Sequence, residues 1–160
     1  KIRVPGTGSW RDKVFRTLGA EPQAVVFDKV YEGLQAGTID GQENPIDVIK
    51  SSKLEEVQKY ISIWNYSYDP LILGMNKEKF DSIHPDDQKV IKIAAKNANK
   101  YQIKISREKE KQQMKELKAS GMEFVYPTDD EIEAFRKASE EVYDNYESEW
   151  GSDLLDTFRK

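Results

Sequence analysis

Hydrophobic and polar positions near the start of the chain alternate between short strand-like runs and amphipathic helix-like stretches. KIRV, AVVF and TIDGQ are the strand-like runs, and WRDKVFRTL and KVYEGLQA separate them. Ser9 and Asp28 precede the two helical stretches and are predicted to cap them. Gly19 and Gly37 follow them, where a left-handed residue commonly ends a helix. The order strand, helix, strand, helix, strand predicts a parallel α/β sheet.

The segment DGQENP joins the third strand to a helix predicted over residues 45–52. A residue before proline is pushed towards extended backbone, and proline itself fits the first turn of a helix. Asn44 is therefore predicted to cap this helix. A second hypothesis is that the strand end delivers the amide of Asn44 to a ligand at the helix N-terminus. Local sequence alone favours capping.

Helical patterns dominate the second half of the chain. KYISIWNYSY is rich in β-branched and aromatic residues and is predicted as a strand, and Asn76 is predicted to cap the short helix KEKFDSI. A long helix is predicted over residues 86–120, which corresponds to about 50 Å at 1.5 Å per residue. The spacing of its apolar residues defines a seam made of Ile91, Ala94, Ala98, Tyr101 and Ile105. Its charged centre, SREKEKQQ, is typical of a helix that bridges domains through solvent.

The end of the chain adds a strand and further helices. MEFVYP is predicted as the last strand, and Gly121 before it is predicted to end the long helix. Asp129 or Asp130 is predicted to open one continuous helix through EIEAFRKASEEVYDNY. SDLLDTF is predicted as a short final helix.

Composition excludes several classes of protein. The chain has 160 residues, of which 38% are hydrophobic and 11% aromatic, so it can build a core. With 25 Lys and Arg against 29 Asp and Glu it lacks the basic excess of a nucleic-acid-binding protein. The sequence has no cysteine and no apolar run of membrane-spanning length. Thiolate catalysis, disulfides and cysteine–zinc sites are therefore excluded.

Few residues indicate catalysis. His84 is the only histidine, it precedes a proline, and it is interpreted as a turn residue. Asp40 and Glu43 are three positions apart and could form a carboxylate pair for acid–base chemistry, although solvated turn residues are the favoured interpretation. PGTGSW lacks the glycine spacing of a nucleotide site. We expect no metal, no cofactor and no catalytic residue.

Three predicted strand ends carry groups that suit a small acid. Arg3, Phe27 and Asn44 lie at or just after the ends of the three strands. Ligands of open α/β sheets collect outside the carboxyl ends of the strands, and an arginine fork holds a carboxylate in two parallel hydrogen bonds. A cation, an aromatic face and an amide on one edge of the sheet favour a small polar acid as ligand.

The segments KIRVPG, LGAEPQAVVFDKVYEGLQAGTIDGQENP and EVQKYISI resemble the solute-binding proteins of TRAP transporters, of the DctP type. The resemblance covers essentially the whole chain, and VYEGLQAGTIDGQENP is its most specific part. It implies the two-lobed α/β fold of periplasmic binding proteins. Because family receptors are much longer, we expect this chain to be the C-terminal portion of one. The expected parts are a second-lobe segment over 1–69, a crossing segment to the first lobe over 70–85, a long bridging helix over 86–120, and a C-terminal strand and helices over 121–160.

The resemblance also implies a set of ligand-binding residues. The carboxylate-clamping arginine of the family matches Arg3, its aromatic matches Phe27 and its ligand-facing asparagine matches Asn44. The variable part of the site matches Gly6, where this chain lacks the side chain that some relatives have, and residues 65–69. Tyr68 and Asp69 are expected to shape selectivity there.

The function implied by the resemblance is solute binding in the periplasm. The protein is expected to close on a small organic acid and present it to the membrane permease subunits of a TRAP transporter, without catalysis. The chain alone is expected to self-associate or to pair with the N-terminal part of the receptor. Two alternatives stay open: an enzyme that uses Asp40 and Glu43, and a helical or α/β protein-interaction module with no small-molecule ligand.

Overall fold

The structure, a computed structural model, describes residues 1–158. It falls into two compact units. The first unit contains Lys1–Trp64 and the chain from Leu117 onward, and the second unit is Asn65–Glu116. None of the helices in the described part of the chain is both long enough and apolar enough to cross a membrane.

Regular elements follow one another in the alternating order that the sequence predicts. The strands are β1 (Ile2–Val4), β2 (Pro22–Ala24), β3 (Gly41–Gln42), β4 (Tyr60–Ser62) and β5 (Glu123–Val125). The helices are α1 (Trp10–Thr17), α2 (Val30–Gln35), α3 (Ile46–Ser51), α4 (Lys77–Asp81), α5 (Pro85–Ala119), α6 (Asp129–Ala138), α7 (Glu140–Trp150) and α8 (Ser152–Phe158). Phe27–Lys29 and Leu54–Glu56 form short 3₁₀ helices.

The first unit contains two small parallel sheets. In one sheet the strand order is β2-β1-β3, and Arg3 of β1 pairs with Gln23 on one side and Gln42 on the other. In the other sheet β4 pairs with β5, from Tyr60 with Glu123 onward. All pairs are parallel, which confirms the predicted sheet type. The buried apolar side chains of this unit are Val4, Phe15, Val30, Ile39, Ile46, Ile49, Leu54, Ile61, Leu117, Met122, Val142 and Leu155.

Helix α7 contacts the loop between β1 and α1, and α1 itself. The Tyr146 hydroxyl donates a hydrogen bond to the Gly8 carbonyl at 3.3 Å, and the Lys13 ammonium lies 4.3 Å from the Tyr146 ring centroid. The Thr17 hydroxyl at the end of α1 donates to the Glu141 carboxylate at 3.3 Å. Helix α7 therefore braces the loop between β1 and α1 and also contacts the end of α1.

The second unit consists of an irregular segment, α4 and most of α5. Asn76 caps α4 as predicted, since its Oδ1 accepts a hydrogen bond from the Lys79 backbone N–H at 2.9 Å. The irregular segment exposes an apolar run, with Leu71 90% and Ile72 89% exposed. The seam predicted on the long helix is largely uncovered too, because Tyr101 and Ile105 are exposed.

The predicted end of the second strand and the predicted cap of the helix that follows it are both wrong. Strand β2 is Pro22–Ala24, and Phe27 begins a 3₁₀ helix instead of ending a strand. The backbone N–H of Val25 still bonds the Val4 carbonyl at 3.2 Å, but β1 ends there and offers no partner to the following residues. Asp28 lies inside the 3₁₀ helix, and α2 begins without any side-chain cap.

Three further predictions, of a strand end, of a continuous helix and of a helix cap, are wrong for local reasons. KYISIWNYSY forms a strand only over Tyr60–Ser62, and Asn65 with φ of 49° interrupts extended structure. The predicted continuous C-terminal helix is divided into α6 and α7 at Ser139, whose hydroxyl bonds the Phe135 carbonyl at 2.9 Å. Such back-bonding by serine often bends a helix. Thr128, and neither aspartate, caps α6 in a reciprocal capping box with Glu131.

Candidate functional site

The carboxyl edge of the sheet β2-β1-β3 carries a buried arginine. Arg3 is only 6% exposed, and its Nε donates a hydrogen bond to the Val25 carbonyl at 2.8 Å. This bond links β1 to the chain just after β2 and fixes the plane of the guanidinium. The centre of the guanidinium lies 5.8 Å from the ring centroid of Phe27, which is within the range of a cation–π contact.

The guanidinium of Arg3 is charged although most of its hydration has been removed by burial, which costs free energy. Burial lowers the pKa of Arg3, the nearby Glu43 carboxylate raises it, and the nearby Arg11 guanidinium lowers it. A cation without its full hydration binds an anion more strongly than one in bulk water does, because less solvent screens the pair. The edge of the sheet therefore presents a cation that is suited to a carboxylate.

Asn44 lies at the same edge but does not cap a helix. The N-cap position of α3 is Pro45 and has no side-chain cap, so the capping prediction is wrong. The Asn44 Nδ2 donates instead to Gln42 Oε1 at 2.5 Å, and Gln42 Nε2 donates to Gln58 Oε1 at 3.1 Å. These two bonds orient the amide of Asn44 beside β3, where Gln42 pairs with Arg3.

A second arginine lies in the first turn of α1, just after the loop that follows β1. Arg11 Nε is 3.4 Å from Glu43 Oε1, and the two side chains are 19% and 15% exposed. The Arg11 guanidinium lies 4.2 Å from the Trp10 ring centroid. Ser9 precedes the helix, and its hydroxyl accepts a hydrogen bond from the Asp12 backbone N–H, as predicted for a cap. Arg11 is not among the residues predicted from the sequence, although a cation in the first turn of a helix opposes the helix dipole and is a usable signal.

Asp40 and Glu43 take different partners. The Asp40 backbone N–H bonds the Lys1 carbonyl at 2.8 Å, at the amino end of β1, and its carboxylate is exposed. Glu43 lies beyond the other end of the sheet strands and contacts Arg11. Within residues 1–158, no group of three histidine, cysteine or acidic side chains is arranged to hold a metal.

The variable positions lie partly in the second unit. Tyr68 is 88% exposed there, and the Ser67 hydroxyl donates to the Asp69 carboxylate at 3.4 Å. In the first unit, a Cβ added at Gly6 would meet no heavy atom within 4 Å. The structure thus brings Arg3, Phe27 and Asn44 to the carboxyl edge of one sheet, and the ligand-binding roles of these three residues and of Tyr68 and Asp69 stay predictions.

Comparison with protein families gives a match over nearly the whole chain. The model of the DctP family, "Bacterial extracellular solute-binding protein, family 7", matches residues 1–149. The chain belongs to this family. The predicted resemblance is thereby confirmed, and so is the predicted periplasmic, extracytoplasmic location of such a protein. The family consists of solute-binding proteins of transporters and is not an enzyme family.

Individual relatives agree with this assignment. The 2,3-diketo-L-gulonate-binding periplasmic protein YiaO of Escherichia coli is 38% identical over 144 residues, covering 88% of this chain and 43% of YiaO. A TRAP periplasmic solute-binding protein from Ochrobactrum anthropi, with its C-terminus bound in the ligand-binding pocket, superposes with a TM-score of 0.89 at 32% identity, over 98% of this chain and 49% of that one. Another from Ralstonia eutropha, with bound (S)-2-acetolactate, gives a TM-score of 0.86 at 34% identity, over 98% of this chain and 51% of that one.

These comparisons confirm the fold class and set the extent of the match. The α/β fold is that of TRAP periplasmic solute-binding proteins. Of the three relatives named above, the chain spans about half the length: 43% of YiaO, 49% of the Ochrobactrum anthropi protein and 51% of the Ralstonia eutropha protein.

Proposed function

We propose that the full-length protein containing this chain is the solute-binding component of a TRAP transporter. It captures a small organic acid in the periplasm and delivers it to the membrane permease subunits, and it carries out no reaction. The observation that carries this proposal is the buried Arg3 at the carboxyl edge of the parallel sheet in a chain of the DctP family.

The geometry of Arg3 supports a carboxylate ligand. Its Nε is engaged by the Val25 carbonyl, so the terminal nitrogen atoms are held in a defined plane. A guanidinium has five N–H donors, and its terminal pair can hold a carboxylate in two parallel hydrogen bonds. YiaO is named for a sugar acid, and the Ralstonia eutropha protein contains an acid, which agrees with this ligand class.

The other predicted site residues take supporting roles in this proposal. Phe27 covers one face of the Arg3 guanidinium and lines the ligand space. Asn44, oriented by Gln42, donates or accepts a hydrogen bond at a polar group of the acid. Tyr68 and Asp69 belong to the segment of the second unit that adjusts selectivity.

The exposed apolar surface of the second unit supports a proposal about partners. Leu71 and Ile72 are almost fully exposed, and apolar patches of this kind usually mark a contact surface. We propose that another part of the full-length receptor covers this surface, and that the 160-residue chain alone self-associates through it. Light scattering on the chain tests this, and a monodisperse monomer would contradict it.

Ligand binding is tested on the full-length protein. A panel of small carboxylic acids is screened for an increase in Tm, and positive acids are then titrated by calorimetry. We expect at least one acid to bind, and the amide of the same acid to bind much more weakly because it lacks the charge that Arg3 neutralises. Equal binding of acid and amide would contradict the carboxylate assignment. Turnover of a bound acid would contradict the absence of catalysis.

A further inference from the structure

Arg11 and Glu43 form an ion pair beside Arg3 that the proposed function has not yet used. Arg11 Nε lies 3.4 Å from Glu43 Oε1, and the Arg11 guanidinium lies over the Trp10 ring, 4.2 Å from its centroid. Both charged side chains are largely but not fully buried. Glu43 directly precedes Asn44 in the chain and follows Gln42, which pairs with Arg3 across the sheet. The ion pair therefore lies at the same edge of the sheet as the carboxylate-binding arginine.

The position of Arg11 carries two electrostatic costs. Arg11 is the second residue of α1, where the positive end of the helix dipole disfavours a cation. It also lies near enough to Arg3 to disfavour the charged form of that arginine. Local rules are most often broken at functional sites, where another gain offsets the cost. Contact with a ligand would supply such a gain.

Glu43 changes what Arg11 can recognise. A lone arginine beside Arg3 would favour a second carboxylate on the ligand. An arginine paired with a glutamate keeps its directed N–H donors, while the two charges largely offset each other. Such a pair matches an uncharged oxygen, that is, a hydroxyl or an oxo group, better than it matches a second negative charge.

We propose that Arg11, positioned by Glu43, is a specificity-determining residue that selects acids with one carboxylate and a nearby hydroxyl or oxo group over dicarboxylic acids. This inference rests on the proposed function, because Arg3 must hold the first carboxylate. It assigns the ligand class: hydroxy and oxo monocarboxylic acids, with Arg11 donating to the uncharged oxygen.

Matched acids of equal length test the proposal on the full-length receptor. Butanoate, D-erythronate and succinate form one set, and hexanoate, D-gluconate and adipate form another. Titration calorimetry with the wild type is expected to show the hydroxy acid of at least one set binding about tenfold or more tightly than both other members. A wild type that prefers the dicarboxylic acid would overturn the proposal.

Two variants separate the roles of the pair. Arg11→Gln is expected to weaken hydroxy-acid binding about tenfold and to change butanoate or hexanoate binding by no more than about twofold. Glu43→Gln is expected to shift the ratio of dicarboxylic-acid to hydroxy-acid affinity about tenfold towards the dicarboxylic acid, because Arg11 then acts as an uncompensated cation. If Arg11→Gln lowers the Tm of the unliganded receptor, the affinities of the Glu43→Gln variant decide the test. Glutamine has nearly the same shape as glutamate, so that substitution preserves the packing.

The chain offers a matched control pair. Lys59 and Glu123 form an exposed ion pair at 2.9 Å beside the other sheet, and Lys59→Gln and Glu123→Gln should leave every affinity ratio unchanged. An equal effect of Arg11→Gln on all acids, or no effect, would overturn the specificity role while the proposed function stands. A folded wild type that binds a panel acid without a hydroxyl or oxo group and none of the six would overturn this inference while the proposed function stands, and one that binds no acid of the wider panel would count against both.

Discussion

Replacing Arg3 by lysine gives the most direct test of the binding site. Lysine keeps the positive charge but replaces the planar fork by a point charge. A carboxylate that Arg3 holds through two charge-assisted hydrogen bonds would retain one. A hydrogen bond to a charged group contributes about 1.5–3 kcal/mol, which corresponds to a loss of affinity of roughly 10- to 140-fold.

The same substitution has a separate effect on the unliganded protein. It removes the Nε bond to the Val25 carbonyl at 2.8 Å, and it leaves a compact ammonium where Arg3 is only 6% exposed. We expect the free energy of unfolding to fall by about 1–3 kcal/mol, because the lost bond has a charged donor. Arg3→Ala removes both ligand bonds and the contact with Phe27, so its affinity loss should exceed about 100-fold.

The assay must distinguish these two effects. Calorimetric titration of the full-length receptor measures affinity, and urea unfolding without ligand measures stability. Lys59→Gln serves as the control for loss of one cation, since Lys59 is exposed and belongs to the other sheet. Arg3→Lys with wild-type affinity would refute the bidentate clamp, and Arg3→Ala with wild-type affinity would refute any ligand contact at Arg3.

Three further predictions concern other parts of the first unit. Asn44→Asp replaces a donor that lies 2.5 Å from Gln42 Oε1 by an acceptor, so urea unfolding should show a loss of about 1–3 kcal/mol, and calorimetry should show acid affinity reduced by about tenfold or more; unchanged values in both would make Asn44 a bystander. Thr128→Ala removes the capping box of α6 and should lower the free energy of unfolding by about 0.5–2 kcal/mol, and an unchanged urea midpoint would contradict that role. The side-chain hydrogen bond from Arg16 holds the pKa of Asp12 below its usual value, so Asp12 stabilises the fold above its unfolded-state pKa and this contribution is lost as the pH falls through the lower folded-state pKa. Melting curves between about pH 5 and pH 2 should therefore show a weaker pH dependence for Asp12→Asn, and identical slopes would contradict the prediction.

Local signals in the sequence predicted two helix caps correctly and failed at Asp28, at Asn44 and at the start of α6. Ser9 and Asn76 cap their helices through their own side chains, and Gly121, with φ of 96°, follows α5. A cap depends on residues within one turn, so it can be read from a short stretch. Strand lengths were predicted less well, because a strand extends only as far as its partner. AVVF has a strong strand propensity, yet β1 ends at Val4 and offers no strand partner to the chain beyond Val25.

In the candidate site too, some features could be predicted from the sequence and others depend on tertiary structure. Arg3 and Asn44 could be placed at one edge because the carboxyl ends of parallel strands meet there. The hydrogen bond from Asn44 to Gln42 could not be predicted, because the sequence before Pro45 equally allows the Asn44 side chain to cap the next helix. The pair Arg11–Glu43 joins a helix start to a strand end through tertiary structure, so no spacing in the sequence reveals it.

The contact between α7 and the loop after β1 has a consequence for how the site forms. The loop that separates Arg3 from Arg11 contains Gly8, and its brace, Tyr146, lies near the other end of the chain. Contacts of such large sequence separation are entropically costly to close and slow folding. The sheet β2-β1-β3 precedes α7 in the chain, and its loop gains this brace only after α7 has docked. Ligand affinity should therefore be among the last properties to appear in refolding, after the secondary structure has formed.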